Sequence, residues 1–320
     1  MDYLILIIGF LLLIKGADYF VEGSSGIARV FKVPALIIGL TIVAFGTSAP
    51  EAAVSISAAL KGSNGIALGN ILGSNIFNLS MILGVSALLL PMKVQKQSLK
   101  KEIPLTLLSA LALFILALDN FWGGEASELL SRGDGLMLLL LFAVFVYYII
   151  ETVKNSRETT TDFEEEEKKH PSIWKLALYT IGGIAGIIWG GNLVVNSSVS
   201  IAKAFGLSET LIGLTIVAIG TSLPELITSA VAAIKKESDI ALGNLIGSNI
   251  FNVLFVMGIS ATLNPVVVDP SLIVELSLNI LLTLIVLLFS LTGRIINRAE
   301  GAALSAFYVI YAIYLVVNNI

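Results

Sequence analysis

The chain has 320 residues, of which 56% are hydrophobic and only 13% are charged, and its mean hydropathy is +0.94. A soluble globular domain carries roughly 25% charged residues, so this composition excludes an ordinary soluble protein and predicts one embedded in lipid. There are no cysteines, and the single histidine, His170, lies in a polar segment, which excludes thiolate and imidazole chemistry in the core. The net charge of −4 indicates little, because the position of charges matters more than their sum. Since no cofactor motif or nucleophile–base pair is present, we expect no enzymatic activity and no cofactor, and we also expect no nucleic-acid partner.

Ten apolar segments follow one another along the chain, each close to the roughly 20 residues that a helix needs to cross a bilayer. Their hydrophobic residues are continuous rather than alternating, which predicts helices and not barrel strands. The predicted spans are 2–23, 36–60, 66–90, 103–119, 135–152, 173–198, 210–234, 240–263, 271–292 and 302–318. The fold class that we predict is an all-α membrane protein with ten transmembrane helices.

Two long strings occur once in each half of the chain. GLTIVAFGTSAPE at 39–51 returns as GLTIVAIGTSLPE at 213–225. IALGNILGSNIFN at 66–78 returns as IALGNLIGSNIFN at 240–252. At a constant offset of 174, 31 of the 53 positions from 39 to 91 are identical between the two copies. The chain is therefore an internal duplication.

The duplication fixes the predicted domains. Five spans per half make the second copy enter the membrane from the opposite side, which gives two inverted repeats. We assign 1–153 to the first five-helix repeat, 154–172 to a linker, and 173–320 to the second five-helix repeat. The run Glu164–Glu167 could hold a regulatory cation, but four adjacent acids repel one another and lack Ca²⁺-loop spacing, so we favour a solvated linker.

Basic residues predict the orientation of the spans. With the N-terminus outside, fourteen of the nineteen Lys and Arg residues fall in inside loops and three fall in outside loops. Because inside loops carry the excess of basic residues, we expect a multi-pass protein of the cell membrane with both termini outside and the linker in the cytoplasm.

The GTSxPE strings predict broken helices at the middle of the membrane. A proline inside a helix removes one hydrogen bond and clashes with the carbonyl four residues earlier, so Pro50 should free the carbonyl of Gly46, and Pro224 that of Gly220. Irregular backbone at this depth persists only where protein or a water-filled cavity satisfies it. Each string thus offers carbonyl, hydroxyl and carboxylate oxygens within one or two turns, which is a set of cation ligands.

The second string adds oxygen donors and small residues. Serine and asparagine lie four residues apart and share one helix face, as Ser74 with Asn78 and Ser248 with Asn252. An interhelical hydrogen bond is the alternative role for the two asparagines. Glycines at four-residue spacing allow helices to approach closely; these are Gly69, Gly73, Gly243 and Gly247. For Asn70, Asn75, Asn244 and Asn249 we expect structural roles, such as capping broken helices.

The acids indicate which ion binds. A carboxylate near a span centre costs about 2.5–3.5 kcal/mol, and this chain places one at equivalent positions twice, Glu51 and Glu225. Oxygen donors suit hard ions such as Ca²⁺ and Na⁺, and two carboxylates balance one Ca²⁺. A further polar stripe in the first span, Lys15, Asp18 and Glu22, is explained by an ion pair or an interfacial position at least as well as by transport.

At these motifs the sequence resembles the sodium/calcium exchanger family of the Ca²⁺/cation antiporter superfamily, over essentially the whole chain. The resemblance implies that Ca²⁺ is held by Glu51 and Glu225 together with the carbonyls of Thr47 and Thr221. It implies that Na⁺ sites are completed by further groups, namely the backbone of Ala44 and Ala218 and the side chains of Ser48, Ser222, Ser74 and Ser248. Asn78 and Asn252 would line the middle, and asparagine in both halves resembles the potassium-independent exchangers.

We therefore expect a secondary antiporter that exchanges Na⁺ for Ca²⁺ by alternating access and functions as a monomer in the lipid bilayer. Spans one and six, which lie outside the set of ligands, are the expected sliding elements. The main alternative is an antiporter of Ca²⁺ or another divalent cation with H⁺, because buried carboxylates can carry protons. A passive cation pore is the third possibility, and inverted repeats with acids at mid-membrane favour a carrier over it.

Overall fold

The computed structural model describes residues 2–31, 33–118, 128–159, 172–204 and 218–318. Within these ranges the chain is almost entirely helical, as the sequence predicts. The α-helices are α1 (Asp2–Val30), α2 (Ala35–Ile38), α3 (Ala44–Thr47), α4 (Ala49–Leu60), α5 (Asn64–Phe77), α6 (Leu83–Leu89), α7 (Ile103–Leu116), α8 (Arg132–Thr159), α9 (Ile173–Ala204), α10 (Ala218–Thr221), α11 (Leu223–Ile234), α12 (Ser238–Ile250), α13 (Gly258–Leu263), α14 (Ile273–Leu291) and α15 (Arg298–Asn318). Most of the linker and positions 210–217 lie outside the described residues.

Wider and tighter turns connect several of these helices. The π-helical turns are Gly39–Val43, Asn78–Ile82, Ser98–Glu102 and Phe251–Met257, and Pro270–Leu272 is a 3₁₀ turn. Four two-residue strands, which the sequence does not predict, are β1 (Met92–Lys93), β2 (Leu129–Leu130), β3 (Val266–Val267) and β4 (Ile295–Ile296). They form two antiparallel pairs, β1 with β4 and β2 with β3. Pairs this short show no alternating pattern in a sequence, and each one joins a loop of the first half to a loop of the second.

Helices occupy all ten predicted spans as far as those spans are described. Among the described residues, six helices are individually long and apolar enough to cross a membrane, or seven when one bent pair counts as a single span. The six are Asp2–Val30, Asn64–Leu89, Arg132–Asn155, Ile173–Val194, Ser238–Leu263 and Ile273–Leu291, and the bent pair is Ala35–Thr47 with Ala49–Leu60. The chain is therefore a multi-pass membrane protein.

Burial separates a central layer from a peripheral one. In the most apolar window of each helix, Asn64–Leu89 is 78% buried and Ser238–Leu263 is 94% buried, against 33% for Asp2–Val30 and 17% for Arg132–Asn155. The outer helices expose large apolar side chains such as Leu140, which matches a surface in contact with lipid. The two central segments are those that carry the second repeated string.

The first helix runs seven residues beyond its predicted end at position 23. Small polar residues at 23–26 favour a loop in the sequence, but here Gly23 and Gly26 pack against Thr180 and Leu176 of α9. Tertiary packing overrides local propensity at this point. Arg29, one of the fourteen basic residues assigned to the predicted inside loops, consequently lies in the last turn of α1.

Helices α1 and α9 pack backbone to backbone along glycines. A Cβ placed on Gly16 would lie 2.7 Å from the backbone nitrogen of Ile187, and one on Gly183 would lie 2.5 Å from that of Phe20. Contacts this short admit no side chain larger than hydrogen. The two predicted sliding helices therefore form one closely packed pair.

Ion pairs attach one end of α1 to the turn between α11 and α12. The Lys235 ammonium lies 2.7 Å from an Asp18 carboxylate oxygen and 4.0 Å from one of Glu22. Arg29 contacts Glu237 at 3.3 Å. The acidic part of the stripe predicted in the first span is thus accounted for by pairing with a lysine of the second half.

The same turn geometry closes α4 and α11. Gly62 and Lys236 are equivalent in the duplication and both have positive φ, +74° and 64°. In each turn the N–H of this residue donates to a carbonyl three residues earlier and the next N–H to one five residues earlier, which is a Schellman motif. The left-handed conformation costs a lysine roughly 1 kcal/mol more than a glycine.

We expect Lys236→Gly to raise the thermal stability of the detergent-purified protein, because glycine adopts this conformation without strain. The matched control is Lys235→Gly, at a right-handed position that also forms the ion pair with Asp18, and it should lower stability. Thermal unfolding followed by intrinsic fluorescence measures both. A lower melting temperature for Lys236→Gly would contradict the assignment of strain.

Candidate cation-binding site

Both GTSxPE strings are broken helices in which a serine forms the break. Helix α3 ends at Thr47 and α4 begins at Ala49, with a bend of 52° between the two segments. Ser48 between them has φ −83° and ψ 7°, and Ser222 between α10 and α11 has φ −92° and ψ 5°. Pro50 lies in the first turn of α4, where its missing N–H costs nothing. The proline therefore starts the second helix of the pair instead of interrupting the first.

Each break holds the carboxylate of the other half. Glu51 and Glu225 lie in the first turns of α4 and α11, and each is 1% exposed. The Ser222 hydroxyl donates to Oε1 of Glu51 at 2.9 Å, and the Ser48 hydroxyl donates to Oε1 of Glu225 at 2.8 Å. Each carboxylate is therefore held at the break of the opposite half, and a cation bound between the two halves would balance their two negative charges.

A second pair of serines, Ser248 and Ser74, contacts the hydroxyls of Ser48 and Ser222. Oγ of Ser48 is 2.9 Å from Oγ of Ser248, and Oγ of Ser222 is 3.0 Å from Oγ of Ser74. A hydroxyl has one proton, and those of Ser48 and Ser222 are given to the carboxylates, so Ser248 and Ser74 act as the donors in these contacts. All four predicted serines are thus brought to the two acids.

The threonines of the breaks are held by asparagines of the other half. The Thr47 hydroxyl donates to Oδ1 of Asn244 at 3.0 Å, and that of Thr221 to Oδ1 of Asn70 at 3.4 Å. Both amide groups then donate back into their own half, to Ser229 and Ser55, each at 2.9 Å. Both threonine side chains are thus engaged in contacts between the two halves.

The candidate ligands Asn78 and Asn252 are oriented by another pair of asparagines. Nδ2 of Asn78 donates to Oδ1 of Asn249, and Nδ2 of Asn252 donates to Oδ1 of Asn75, both at 3.1 Å. Asn78 begins one π-helical turn and Asn252 is the second residue of another, and such turns are frequent at functional sites. The amide nitrogens form the interhelical hydrogen bonds, so each side chain presents its oxygen in another direction.

Four buried oxygens at this centre have no hydrogen-bond partner among the described residues. They are Oε2 of Glu51, Oε2 of Glu225, Oδ1 of Asn78 and Oδ1 of Asn252. An unpaired buried acceptor costs about 1–3 kcal/mol, and more when it is charged. Four acceptors in symmetric positions with two negative charges fit a hard cation, which would satisfy all of them.

For Ala44 and Ala218 the sequence predicts a backbone contribution alone. Ala44 is fully buried at the start of α3, and Ala218 begins α10, although its side chain lies outside what is described. A Cβ on Gly247 would lie 2.6 Å from the carbonyl oxygen of Leu40, which confirms close approach there. Gly243 is equally close to Leu36, whereas the first-half equivalents Gly69 and Gly73 have no atom within 4 Å among the described residues.

Sequence reasoning missed the positioning role of Asn75 and Asn249. Capping was the wrong expectation for the structural asparagines, since neither break has a side-chain cap. The available signal was the duplication itself, because the repeated pair of amides, Asn75 and Asn249, lies three residues before the candidate ligands Asn78 and Asn252 in both halves. No group of three or more Asp, Glu, His or Cys side chains in the described ranges could hold a metal. The site therefore depends on two carboxylates and neutral oxygens.

We expect Asn249→Ala to weaken cation binding about tenfold, because Asn78 would lose the acceptor that fixes its amide. Calcium titration of the purified protein by calorimetry measures the change. The control is Asn264→Ala, whose amide donates to the carbonyl of Ala59 instead. Equal affinity in the two variants would contradict a positioning role for Asn249.

A bundle of apolar helices with two buried carboxylates and unpaired oxygens at broken helices is the architecture of a secondary ion transporter. The family model described as "Sodium/calcium exchanger protein" matches residues 1–151 and 175–317. The chain belongs to this family and is accordingly a membrane antiporter of cations.

Individual relatives agree with this assignment. The sodium/calcium exchanger MaX1 of Methanosarcina acetivorans is 35% identical over 98% of both chains. The Ca²⁺/H⁺ antiporter ChaA of Bacillus subtilis is 28% identical over 86% of this chain and 82% of its own. A solved structure of the sodium-calcium exchanger NCX_Mj, soaked with zero Na⁺ and Ca²⁺, superposes with a TM-score of 0.83 at 33% identity, covering 98% of each chain. The fold is thus shared with an exchanger over its whole length.

Proposed function

We propose that the protein exchanges Na⁺ for Ca²⁺ across the cell membrane by alternating access, with both ions using a site built on Glu51 and Glu225. The observation that carries the proposal is the set of four unpaired buried oxygens on these glutamates and on Asn78 and Asn252. Family membership and the exchanger names of MaX1 and NCX_Mj support it.

In the proposed site, Ca²⁺ is held by the free carboxylate oxygens of Glu51 and Glu225 and by the carbonyls of Thr47 and Thr221. Na⁺ uses the same acids with further oxygens, namely the carbonyls of Ala44 and Ala218 and the hydroxyls of Ser48, Ser222, Ser74 and Ser248. Asn78 and Asn252 line the middle. Their carbonyl oxygens are neutral, so the site keeps the charge of −2 that one Ca²⁺ balances.

The reciprocal hydrogen bonds support an inverted duplication. Four contacts between the halves at the centre occur in reciprocal pairs, as with Ser48 to Glu225 and Ser222 to Glu51. We propose ten spans in two inverted repeats, 1–153 and 173–320, joined by a cytoplasmic linker at 154–172. Both termini then lie outside, and one chain contains the whole site, so it functions as a monomer.

Coupling follows from competition for the two acids. An empty site leaves two repelling carboxylates in an apolar environment, so the loaded forms are the ones that change conformation. Helices α1 and α9 would slide as the closely packed pair that their glycines create. The pairing of Lys235 with Asp18 would help to hold the pair in the conformation described here.

A second candidate is exchange of Ca²⁺, or another divalent cation, for H⁺. The observation that favours it is the 28% identity with ChaA, which is named a Ca²⁺/H⁺ antiporter. The same two carboxylates would then alternate between Ca²⁺ and protons.

Proteoliposomes separate the two candidates. Vesicles loaded with Na⁺ are diluted into Na⁺-free buffer that contains ⁴⁵Ca²⁺, and a matched set carries a pH gradient without Na⁺. We expect uptake that requires the outward Na⁺ gradient. Ca²⁺ uptake driven by the pH gradient alone would show that the coupling ion is H⁺ and not Na⁺.

A further inference from the structure

Two more carboxyl groups with a buried oxygen lie outside the central site, and each accepts a hydrogen bond from a tyrosine. Glu102 is fully buried at the end of the π-helical turn Ser98–Glu102, and its Oε1 accepts from the hydroxyl of Tyr148. Glu275 lies in the first turn of α14, and its Oε1 accepts from the hydroxyl of Tyr311 at 3.3 Å. Oε2 is buried without a hydrogen-bond partner in both glutamates.

The two glutamates occupy equivalent places in the duplication. They stand 173 residues apart, one position short of the motif offset, at the start of the fourth and ninth predicted spans. Four residues later a polar side chain donates back to the glutamate carbonyl in both cases, Thr106 to Glu102 at 3.0 Å and Asn279 to Glu275 at 3.2 Å. The orientation proposed above places Glu102 near the cytoplasmic face and Glu275 near the outer face.

The surroundings of Glu102 do not neutralise its charge. Glu102 has no ion pair with any residue in the described part of the chain, and the ammonium of Lys101 lies over the ring of Tyr148, 5.3 Å from its centroid. Gln97 and Tyr148 donate only to Oε1. A buried carboxylate without a positive partner is costly in free energy, so a cation bound at Oε2 of Glu102 would stabilise the protein.

A second orphaned oxygen accompanies Glu102. Oγ of Ser98 is buried and unpaired, and Ser98 is four residues before Glu102 in the same π-helical turn, which places the two side chains near one another on the helix. A carboxylate and a hydroxyl are ligands for hard cations. One negative charge balances a monovalent cation, whereas a divalent cation would leave a net positive charge in the apolar interior.

We propose that Glu102 and Ser98 form a second cation site, separate from the Glu51–Glu225 centre, which takes a hard monovalent cation, Na⁺ or K⁺. Glu275 is the corresponding group in the other half. Such a site would let the ion composition on one side of the membrane act on the protein without occupying the central acids.

The test uses a double variant of the chain, Glu51→Gln with Glu225→Gln, purified in detergent, in which both central charges are removed. The melting temperature of this double variant is measured at increasing concentrations of NaCl or KCl. The control is N-methyl-D-glucamine chloride at equal ionic strength. A ligand that binds only the folded state raises this temperature. We expect Na⁺ or K⁺ to raise the melting temperature of the double variant. Adding Ser98→Ala should increase the cation concentration needed for this rise roughly tenfold, and adding Glu102→Gln should clearly reduce the rise. The Na⁺ and K⁺ series identify the preferred ion.

A structural role predicts a different pattern. If Glu102→Gln lowered the melting temperature equally in all three salts, the glutamate would only stabilise packing and the proposal would be overturned. If the melting temperature changed with pH but not with Na⁺ or K⁺, Glu102 would carry a proton, and the proposed cation site would be overturned as well. Should the double variant not fold, comparing the unaltered chain with its Glu102→Gln form in the three salts makes the same distinction.

Discussion

Glu51→Gln and Glu225→Gln should each abolish Na⁺-driven Ca²⁺ uptake and weaken Ca²⁺ binding by two to three orders of magnitude. Removing one partner from a buried charge pair costs about 3–5 kcal/mol, which corresponds to roughly 10²–10³ in a binding constant. The amide keeps the size of the side chain, and the neighbouring serine can still donate to its oxygen. The change therefore tests charge and not packing. Calcium calorimetry and ⁴⁵Ca²⁺ uptake measure the two effects.

The matched control is Glu151→Gln, on an exposed position of α8. It removes the same charge from the chain without touching the centre, and its uptake should equal that of the unaltered protein. Because the two halves hold each other's acid, we expect similar losses for Glu51 and Glu225. If the Glu51→Gln protein eluted as a single species and still took up Ca²⁺ normally, Glu51 would not be part of the site.

Gly183→Ala should inhibit transport and lower stability strongly, while Gly182→Ala should do neither. A Cβ at Gly183 would lie 2.5 Å from the backbone nitrogen and 2.7 Å from Cα of Phe20, and neither atom can move without shifting α1. At Gly182 no atom of the described residues lies within 4 Å. Overpacking of this kind costs about 1–3 kcal/mol.

The neighbouring glycines make an internal control, because both changes alter helix propensity to the same extent. Uptake in proteoliposomes and the melting temperature in detergent should both fall for Gly183→Ala. Gly186→Ala should reduce uptake and melting temperature less than Gly183→Ala, because its Cβ would have its nearest contact at 3.2 Å. If Gly183→Ala transported at the normal rate, α1 and α9 would not need their present close packing.

The sequence predicted the helices and the breaks because each has a local or duplicated signal. Continuous apolar runs identify spans, and a proline in an apolar run identifies a break near Ser48 or Ser222. Duplication then separated the residues of the centre from unrelated polar ones. The hydrogen bond between Ser222 and Glu51 joins the two halves, and the repeated strings do not by themselves predict which serine contacts which glutamate.

Other features had no local signal. The end of α1 was placed too early, because Gly23 and Gly26 read as a loop until α9 is packed against them. Two-residue strands and π-helical turns depend on contacts between distant segments. The Glu102–Tyr148 pair has no such signal either, because the ungapped repeat ends at position 91 and a one-residue shift separates Glu102 from Glu275.

The most direct test of a shared site is a Ca²⁺ titration of the purified protein at several fixed Na⁺ concentrations, with ionic strength held constant by N-methyl-D-glucamine chloride. We predict that one Ca²⁺ binds between Glu51 and Glu225 and that the apparent Kd for Ca²⁺ rises steadily with Na⁺, because both ions need the same carboxylates. The chain carrying Glu51→Gln should lose this binding. An apparent Kd that does not change with Na⁺ would contradict a common site and with it the proposed exchange of Na⁺ for Ca²⁺ there.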